Sequence, residues 1–474
     1  MTHESVPYDI AVIGAGVVGC AIARELSGHR LSVALLDAAD DVGEGTSKAN
    51  TAILHTGFDA KPGTLESRLV RRGYALLSAY AADTGIPVER TGALLVAWTR
   101  EELDALPGLR EKALANGYGH TVSLTADEVY ARVPALGPGA LGGLAVPDES
   151  IICSWTTTLA YATEAKARGA DLLLGRRVTS VSVAVEHTTL HTDQGPVTAR
   201  WVVNAAGLGA DVIDGHFGHR DRFTVTPRRG ELLVYDKLAR PLAPLIVLPV
   251  PSSRGKGVLI SPTVYGNVML GPTAEDLTDR TDTGTSARGL DFLLDKGRQL
   301  MPRLLEEEVT ASYAGLRAAI AGDDYLIEAD ADRRYLLAGG IRSTGLSASL
   351  AIAEHVRGLL ADAGLTLDAR ADLPSAPRMP GIGEGSPRPY QDGELIAKDA
   401  AYGRVVCFCE RVTEGEIRDA LASPVPPAGA SGLRRRTRAM NGRCQGFYCA
   451  AEVGAMLAGR RGWDGIPAGR EGGR

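Results

Sequence analysis

The N-terminal part of the chain alternates short apolar runs with turn-forming residues. Residues 10–13 are apolar and run into Gly14-Ala15-Gly16-Val17-Val18-Gly19. Good helix formers follow to Leu26, and a second apolar run over 31–36 ends at Asp37. Short apolar runs bounded by turns read as buried strands, so residues 8–37 predict a strand–turn–helix–strand unit. Further along, the pattern predicts helices over about 64–84, 100–116, 155–168, 285–300 and 346–361. It predicts strands over 93–97, 177–184, 188–192, 201–207 and 335–340, and a strand-rich block with frequent Gly and Pro over 223–275.

Strands alternate with helices early and late, with the strand-rich block between them. That order predicts an α/β protein whose first domain is discontinuous and interrupted by substrate-facing insertions. Residues 368–403 hold Pro374, Pro377, Pro380, Pro387 and Pro389 and read as a linker. Residues 404–458 form a small cysteine-bearing module, and the Gly- and Arg-rich tail 459–474 reads as disordered.

Composition narrows the field. The 474 residues are 45% hydrophobic and 23% charged, ordinary for a globular chain with a large core, and a net charge of −6 argues against a nucleic-acid or anionic-membrane partner. No run of about 18 apolar residues exists to span a bilayer, and the N-terminus lacks a basic secretory leader. The expectation is a cytoplasmic protein, or one held at the inner face of the membrane through a partner. Six cysteines without a leader suggest reduced thiols or metal ligands; Cys20 and Cys153 lie in apolar stretches and read as buried hydrophobes.

The candidate chemistry lies at both ends. Gly14-x-Gly16-x-x-Gly19 follows a strand and opens a helix, the context in which glycines let a backbone approach a pyrophosphate at a helix N-terminus. Asp37, at the end of the second strand, is placed for a ribose hydroxyl. Gly137-Pro-Gly139-Ala-Leu-Gly142 spells the same pattern without a preceding strand and reads as a loop. Residues 45–57 are rich in small and hydroxyl side chains suited to lining a long pocket, and His55 follows them as a candidate base. His216 and His219 form an H-x-x-H that reads as a solvent loop. At the other end stand Cys407-x-Cys409 and Cys444-x4-Cys449. Four such thiols can hold zinc or a 2Fe-2S cluster, although structural zinc prefers gaps of about two to four residues. Arg434, Arg435, Arg436 and Arg438 read as a solvated face, in a position that also permits neutralising an anionic cluster.

Taken as a set, these motifs resemble the FAD-dependent D-amino-acid-oxidase-like superfamily, which includes glycerol-3-phosphate and L-2-hydroxyglutarate dehydrogenases. Further matches are Pro147-Asp148 with Ile151-Ile152, Val203-Asn204-Ala205-Ala206-Gly207 and Ala338-Gly339-Gly340-Ile341-Arg342-Ser343-Thr344-Gly345-Leu346-Ser347. The resemblance implies a discontinuous Rossmann-like FAD-binding domain (about 5–85, 145–222 and 312–364) and a mixed-sheet substrate domain (about 86–144 and 223–311), together residues 1–367. It implies Asp37 on the adenosine ribose, where most relatives carry Glu, and Thr46, Ser47 and Asn50 near the phosphates and flavin. It further implies Val178 by the adenine, Gly207 in the cofactor strand-end motif, and Gly340, Ile341, Gly345 and Leu346 over the flavin. Arg317 resembles the arginine that holds a substrate phosphate or carboxylate; Arg228, Arg229, Lys256 and Thr273 are lesser candidates.

Val406 to Glu410, Thr413-x-x-Glu416, Leu433 to Arg438 and Gly442 to Cys449 resemble the bacterioferritin-associated-ferredoxin-like 2Fe-2S module, α-rich and small. More narrowly they resemble its form in large subunits of anaerobic glycerol-3-phosphate dehydrogenases. Together the resemblances imply oxidation of sn-glycerol 3-phosphate to dihydroxyacetone phosphate, with hydride passing to flavin N5. Electrons would then pass through the cluster to a redox partner subunit or a quinone. Residues 55–97 look closer to the L-2-hydroxyglutarate branch, so a 2-hydroxy acid or an amino or opine acid stands as the alternative substrate. An electron-transfer subunit is the alternative of another class.

Overall fold

The computed structural model describes residues 6–251 and 257–459; Lys256 and the tail beyond 459 lie outside the described residues. The chain divides between Met379 and Pro380 into two compact units.

The first unit is built on two large sheets. In the first, the strands Asp171–Leu173, Val33–Leu36, Tyr8–Ile13, Val197–Asn204 and Tyr335–Gly339 lie side by side and parallel. Ile10 pairs with both Val33 and Trp201, so the apolar run at the N-terminus becomes a central strand covered on both faces. Antiparallel strands Leu326–Asp330, Thr188–Thr192 and Val178–Val183 complete an eight-stranded sheet. The helix Val17–Leu26 is apolar on most sides and packs among Ser154–Ala167 and Gly345–Asp362.

The second sheet has nine strands and is mixed: Ile246–Pro249 runs parallel to Ala93–Ala97, and the other pairings are antiparallel. Its backbone is the long pair Thr226–Tyr235 and Val309–Ala319, in which Arg228 faces Arg317. A core of Leu94, Val96, Tyr235, Ile260, Leu270 and Leu293 lies beneath it. The α/β architecture with a mixed second sheet is as expected. Val197–Asn204 begins earlier than the apolar run over 201–207, because Thr198 and Arg200 alternate outward while Val197 and Ala199 are buried.

Residues 368–379 pack on the first unit: Ala369 bridges to His29 and Met379 N–H donates to Thr84 O at 2.8 Å. Residues 380–403 belong to the second unit, where Ile382 and Arg388 are buried and Arg388 pairs with Glu416 at 2.9 Å. The proline-rich stretch is thus ordered against each unit in turn. Around His216 and His219 the expectation of a solvent loop fails: His216 ends the helix Ala210–His216, and the His219 ring stacks on Tyr335 with centroids 5.8 Å apart. Cys20 and Cys153 are fully buried, and Cys153 caps the helix Ser154–Ala167 by accepting Thr156 N–H.

The second unit pairs strands Val405–Cys407 and Val412–Thr413 and carries the helices Gly393–Lys398, Glu414–Ala422, Ala430–Thr437 and Ala450–Ala458. Thr413 and Glu416 start one helix with a capping box. Val406, Val412, Ile417, Leu433, Val453 and Leu457 form its core with Cys407 and Cys449. The arginine cluster is not a solvated face. Arg435, Arg436 and Arg438 are 8%, 5% and 5% exposed. Arg436 donates to Val425 O and Gly432 O, and Arg438 pairs with buried Glu410 at 3.1 Å. Their stems fill space between helices while their heads find partners inside, an arrangement invisible to a count of charges.

Candidate active site and cluster site

A cavity of about 1160 Å³ runs through the first unit. One wall begins at the glycine-rich turn. Gly14 has φ +107°, and a Cβ there would lie 2.4 Å from Ala205 O; one on Gly19 would lie 1.8 Å from Gly14 O. Only glycine allows the turn, the helix and the neighbouring strand to approach this closely. Asp37 locks the turn by accepting Ala15 N–H at 2.6 Å and Ala39 N–H at 2.8 Å. Burial raises its carboxyl above the usual range against the opposing pull of those two N–H groups.

Ser47 accepts Val17 N–H at 2.9 Å, Thr46 donates to Leu316 O at 2.6 Å, and Asn50 bridges Ser47 O and Ala52 N–H. These side chains shape the loop that borders the cavity and tie it to the first helix and to the Val309–Ala319 strand. On the far side, Gly340, Ile341, Gly345 and Leu346 line the cavity at the start of the helix Gly345–Asp362, whose first turn has no side-chain cap. Such a start favours negative charge. Gly207 also lines the cavity. Gly19 packs beneath the turn, and Val178 sits with the core of the first sheet; neither reaches the lining.

The reactive end is set by strand register. Ile53 pairs with Ile151 and Leu54 with Ser150, so the next residues along, His55 and Glu149, fall opposite each other. His55 Nδ1 lies 2.8 Å from Glu149 Oε2, and Glu149 Oε1 accepts Thr56 N–H at 2.7 Å and the Thr56 hydroxyl at 2.9 Å. Glu149 is 0% exposed. When the ring is neutral and Nδ1–H donates to this carboxylate, Nε2 is the nitrogen left to accept, and the ring lines the cavity. Sequence reasoning missed Glu149; the signal was an acid directly before the apolar strand Ser150–Ile152, which pairs with the strand leading to His55.

Arg317 lines the same cavity. Burial first, then neighbouring Arg228, pulls its guanidinium below the ordinary value. No hydrogen bond or ion pair engages it among the described residues. A partly buried guanidinium with no counter-charge among the described residues has the chemistry to receive an anion. The lesser candidates differ: Arg228 is held bidentately by Asp276 at 2.6 and 2.9 Å, and Arg229 is paired with Glu275 and Asp282. Thr273 lines the cavity while its hydroxyl accepts Glu231 N–H.

In the second unit, Cys409 contacts Cys444 and Cys407 contacts Cys449, with Cys407 and Cys449 buried and the other two partly exposed. Met440, Gln445 and Gly446 have positive φ, and the Met440 N–H reaches Cys449 from this tightly turned loop. The N–H groups of Tyr448, Gly446 and Phe447 pull the Cys444 thiol below its ordinary value. Burial pushes Cys449 up to about 12, and Cys407 beside it adds to the effect. No group of three or more His, Cys, Asp or Glu gathers for a single metal ion among the described residues. Two thiol pairs with inward N–H donors suit a centre that is itself anionic and larger than one ion.

Both halves of this arrangement have counterparts among known proteins. Residues 9–359 match the family FAD dependent oxidoreductase (DAO), and the chain belongs to it; it is an FAD-dependent oxidoreductase. Residues 405–459 match the BFD-like [2Fe-2S] binding domain, so the second cofactor is a 2Fe-2S cluster. Glycerol 3-phosphate dehydrogenase of Caloramator mitchellensis is 35% identical over 95% of this chain and 94% of its own length. The dithionite-reduced, FAD-bound L-alpha-glycerophosphate oxidase of Mycoplasma pneumoniae superposes with a TM-score of 0.74 at 27% identity, covering 79% of this chain and 100% of that one. L-2-hydroxyglutarate dehydrogenase of Indibacter alkaliphilus is 28% identical over 56% of this chain and 68% of its own.

Proposed function

We propose that the protein oxidises sn-glycerol 3-phosphate to dihydroxyacetone phosphate and passes the electrons through its 2Fe-2S cluster to a redox partner. The observation that carries this reading is the unpaired Arg317 in one cavity with the His55–Glu149 pair. Arg317 holds the phosphate by forked hydrogen bonds, which fixes the position of the alcohol. His55 Nε2 takes the hydroxyl proton, and Glu149 balances the charge that appears on the ring. Bound FAD supplies the hydride acceptor. Gly14 and Gly16 would admit its pyrophosphate, Asp37 would accept from a ribose hydroxyl, and the start of the helix Gly345–Asp362 would help hold it. The glycerol 3-phosphate names of the two relatives similar over most of this chain support the substrate.

Cys407, Cys409, Cys444 and Cys449 hold the cluster, and the partly exposed Cys409 and Cys444 form the edge from which electrons leave. No helix among the described residues is long and apolar enough to cross a membrane, so a quinone acceptor is reached through a partner subunit. The similarity to an L-2-hydroxyglutarate dehydrogenase favours a second reading, in which Arg317 holds a carboxylate. Flavin reduction rates with glycerol 3-phosphate and with L-2-hydroxyglutarate, measured side by side on anaerobic protein, decide between them.

A further inference from the structure

Among Arg434, Arg435, Arg436, Arg438 and Arg443, Arg434 is bonded to the loop that carries Cys444. Arg438 is neutralised by Glu410 at 3.1 Å, Arg436 is spread over the carbonyls of Val425 and Gly432, and Arg435 bonds Ser431 at 2.8 Å. Arg434, in the last turn of Ala430–Thr437, has only neutral hydrogen-bond partners among the described residues. Its Nε donates to Asn441 Oδ1 at 2.8 Å and its Nη2 to Gln445 Oε1 at 3.1 Å. Asn441 returns a bond to Arg434 O at 3.0 Å, and Gln445 bonds Asn441 O and Gly442 O. The guanidinium is therefore fixed in one orientation against the loop that carries Cys444, and among the described residues no carboxylate pairs with it. It is half-buried and lies within electrostatic reach of Cys449.

We infer that Arg434 is the fixed cation that holds the cluster's reduction potential up, a positioning and tuning residue rather than a ligand. The inference rests on the four cysteines being the cluster's ligands and is independent of the substrate. Reduction adds one electron to the cluster, supplied by the reduced flavin, with no bond made or broken and no proton required. A centre held by four thiolates is already anionic, and the added electron increases its negative charge by one. A nearby cation stabilises the reduced form more than the oxidised form, and more strongly in a half-buried setting than in water. The neutral amides of Asn441 and Gln445 orient the charge without reducing it.

The test is a redox titration of the anaerobic full-length protein followed by electron paramagnetic resonance, with iron content measured on each sample. Arg434→Gln is expected to retain the cluster and make its reduction about tenfold less favourable, a midpoint about 59 mV lower for one electron. Arg434→Lys keeps the charge without the fork and is expected to show less than half that shift. Arg434→His places a group there that loses its charge across about pH 6–8. Its midpoint is expected to fall with pH over that range more steeply than the wild type's. A wild-type midpoint in loaded Arg434→Gln overturns the inference, as do equal shifts in the Gln and Lys proteins. A loaded Arg434→His protein with the wild type's pH dependence also overturns it. Loss of the cluster in all three would show a purely structural role and overturn it as well, whereas an iron-free wild type would remove the ligand assignment itself.

Discussion

Replacing Glu149 by Gln changes one atom in a buried site, and its consequence follows from counting donors. Glu149 accepts three hydrogen bonds: from His55 Nδ1, Thr56 N–H and the Thr56 hydroxyl. Glutamine has one acceptor oxygen and one donor group. If the amide NH2 turns to Thr56 it meets two donors, and each unmatched buried donor costs about 1–3 kcal/mol. The oxygen therefore stays with Thr56 and the NH2 faces His55. Nδ1 must then accept, which moves the ring proton to Nε2 and removes the base from the cavity side. General-base catalysis contributes about 10²–10⁴-fold, so the variant is expected to lose about 10²–10³ in the rate of flavin reduction, about 3–4 kcal/mol of barrier. Affinity should change by no more than about threefold, because Arg317 lies on a different strand and is untouched. Anaerobic stopped-flow at saturating glycerol 3-phosphate reads the chemical step, and a melting curve checks that the Thr56 bonds still hold the site together. A reduction rate within about threefold of wild type would refute the tautomer argument.

Three other outcomes are expected. Gly14→Ala should purify without flavin, since its Cβ would lie 2.4 Å from Ala205 O at a φ that disfavours side chains; a wild-type flavin absorbance per chain would contradict this. Arg317→Gln should raise KM for glycerol 3-phosphate by about 10²-fold, in line with the loss of charge-assisted bonds worth about 1.5–3 kcal/mol. It should also abolish the rise in melting temperature that inorganic phosphate gives the wild type. Because burial raises Asp37 above its unfolded value, its contribution to stability is fully present below the ordinary carboxylate range and is lost as pH rises through the folded value. Wild type should therefore lose stability relative to Asp37→Asn as pH rises from about 3 to 7, by denaturant unfolding, and a pH-independent difference would contradict the assignment.

What was legible in the sequence was local. The strand–turn–helix over 8–26 could be read because its apolar run, glycines and helix formers are adjacent, and the helix Val17–Leu26 has the bounds that the pattern suggested. The thiol pairs were legible for the same reason. His55 and Arg317 were legible as candidates, but what surrounds each of them was not. The Glu149 contact depends on pairing two strands as short as Ile53–Leu54 and Ser150–Ile152, whose register no local pattern records. The isolation of Arg317 depends on Asp276 pairing with Arg228 instead of with it. The arginine run misled because charge suggests solvent, whereas buried carbonyls and Glu410 supply partners that only the folded chain brings near. Val178, which the resemblance implies by the adenine, packs against the core of the first sheet.

The central claim is that one chain oxidises glycerol 3-phosphate at the flavin and relays the electrons to its own cluster. Anaerobic titration of the purified full-length protein with sn-glycerol 3-phosphate, following flavin absorbance and the cluster's resonance signal together, tests it most directly. The account predicts bleaching of the flavin band at stoichiometric substrate, with the reduced-cluster signal appearing in the same samples. A flavin that stays oxidised with glycerol 3-phosphate but bleaches with a 2-hydroxy acid would contradict the substrate. A bleached flavin beside an unreduced cluster would contradict the relay.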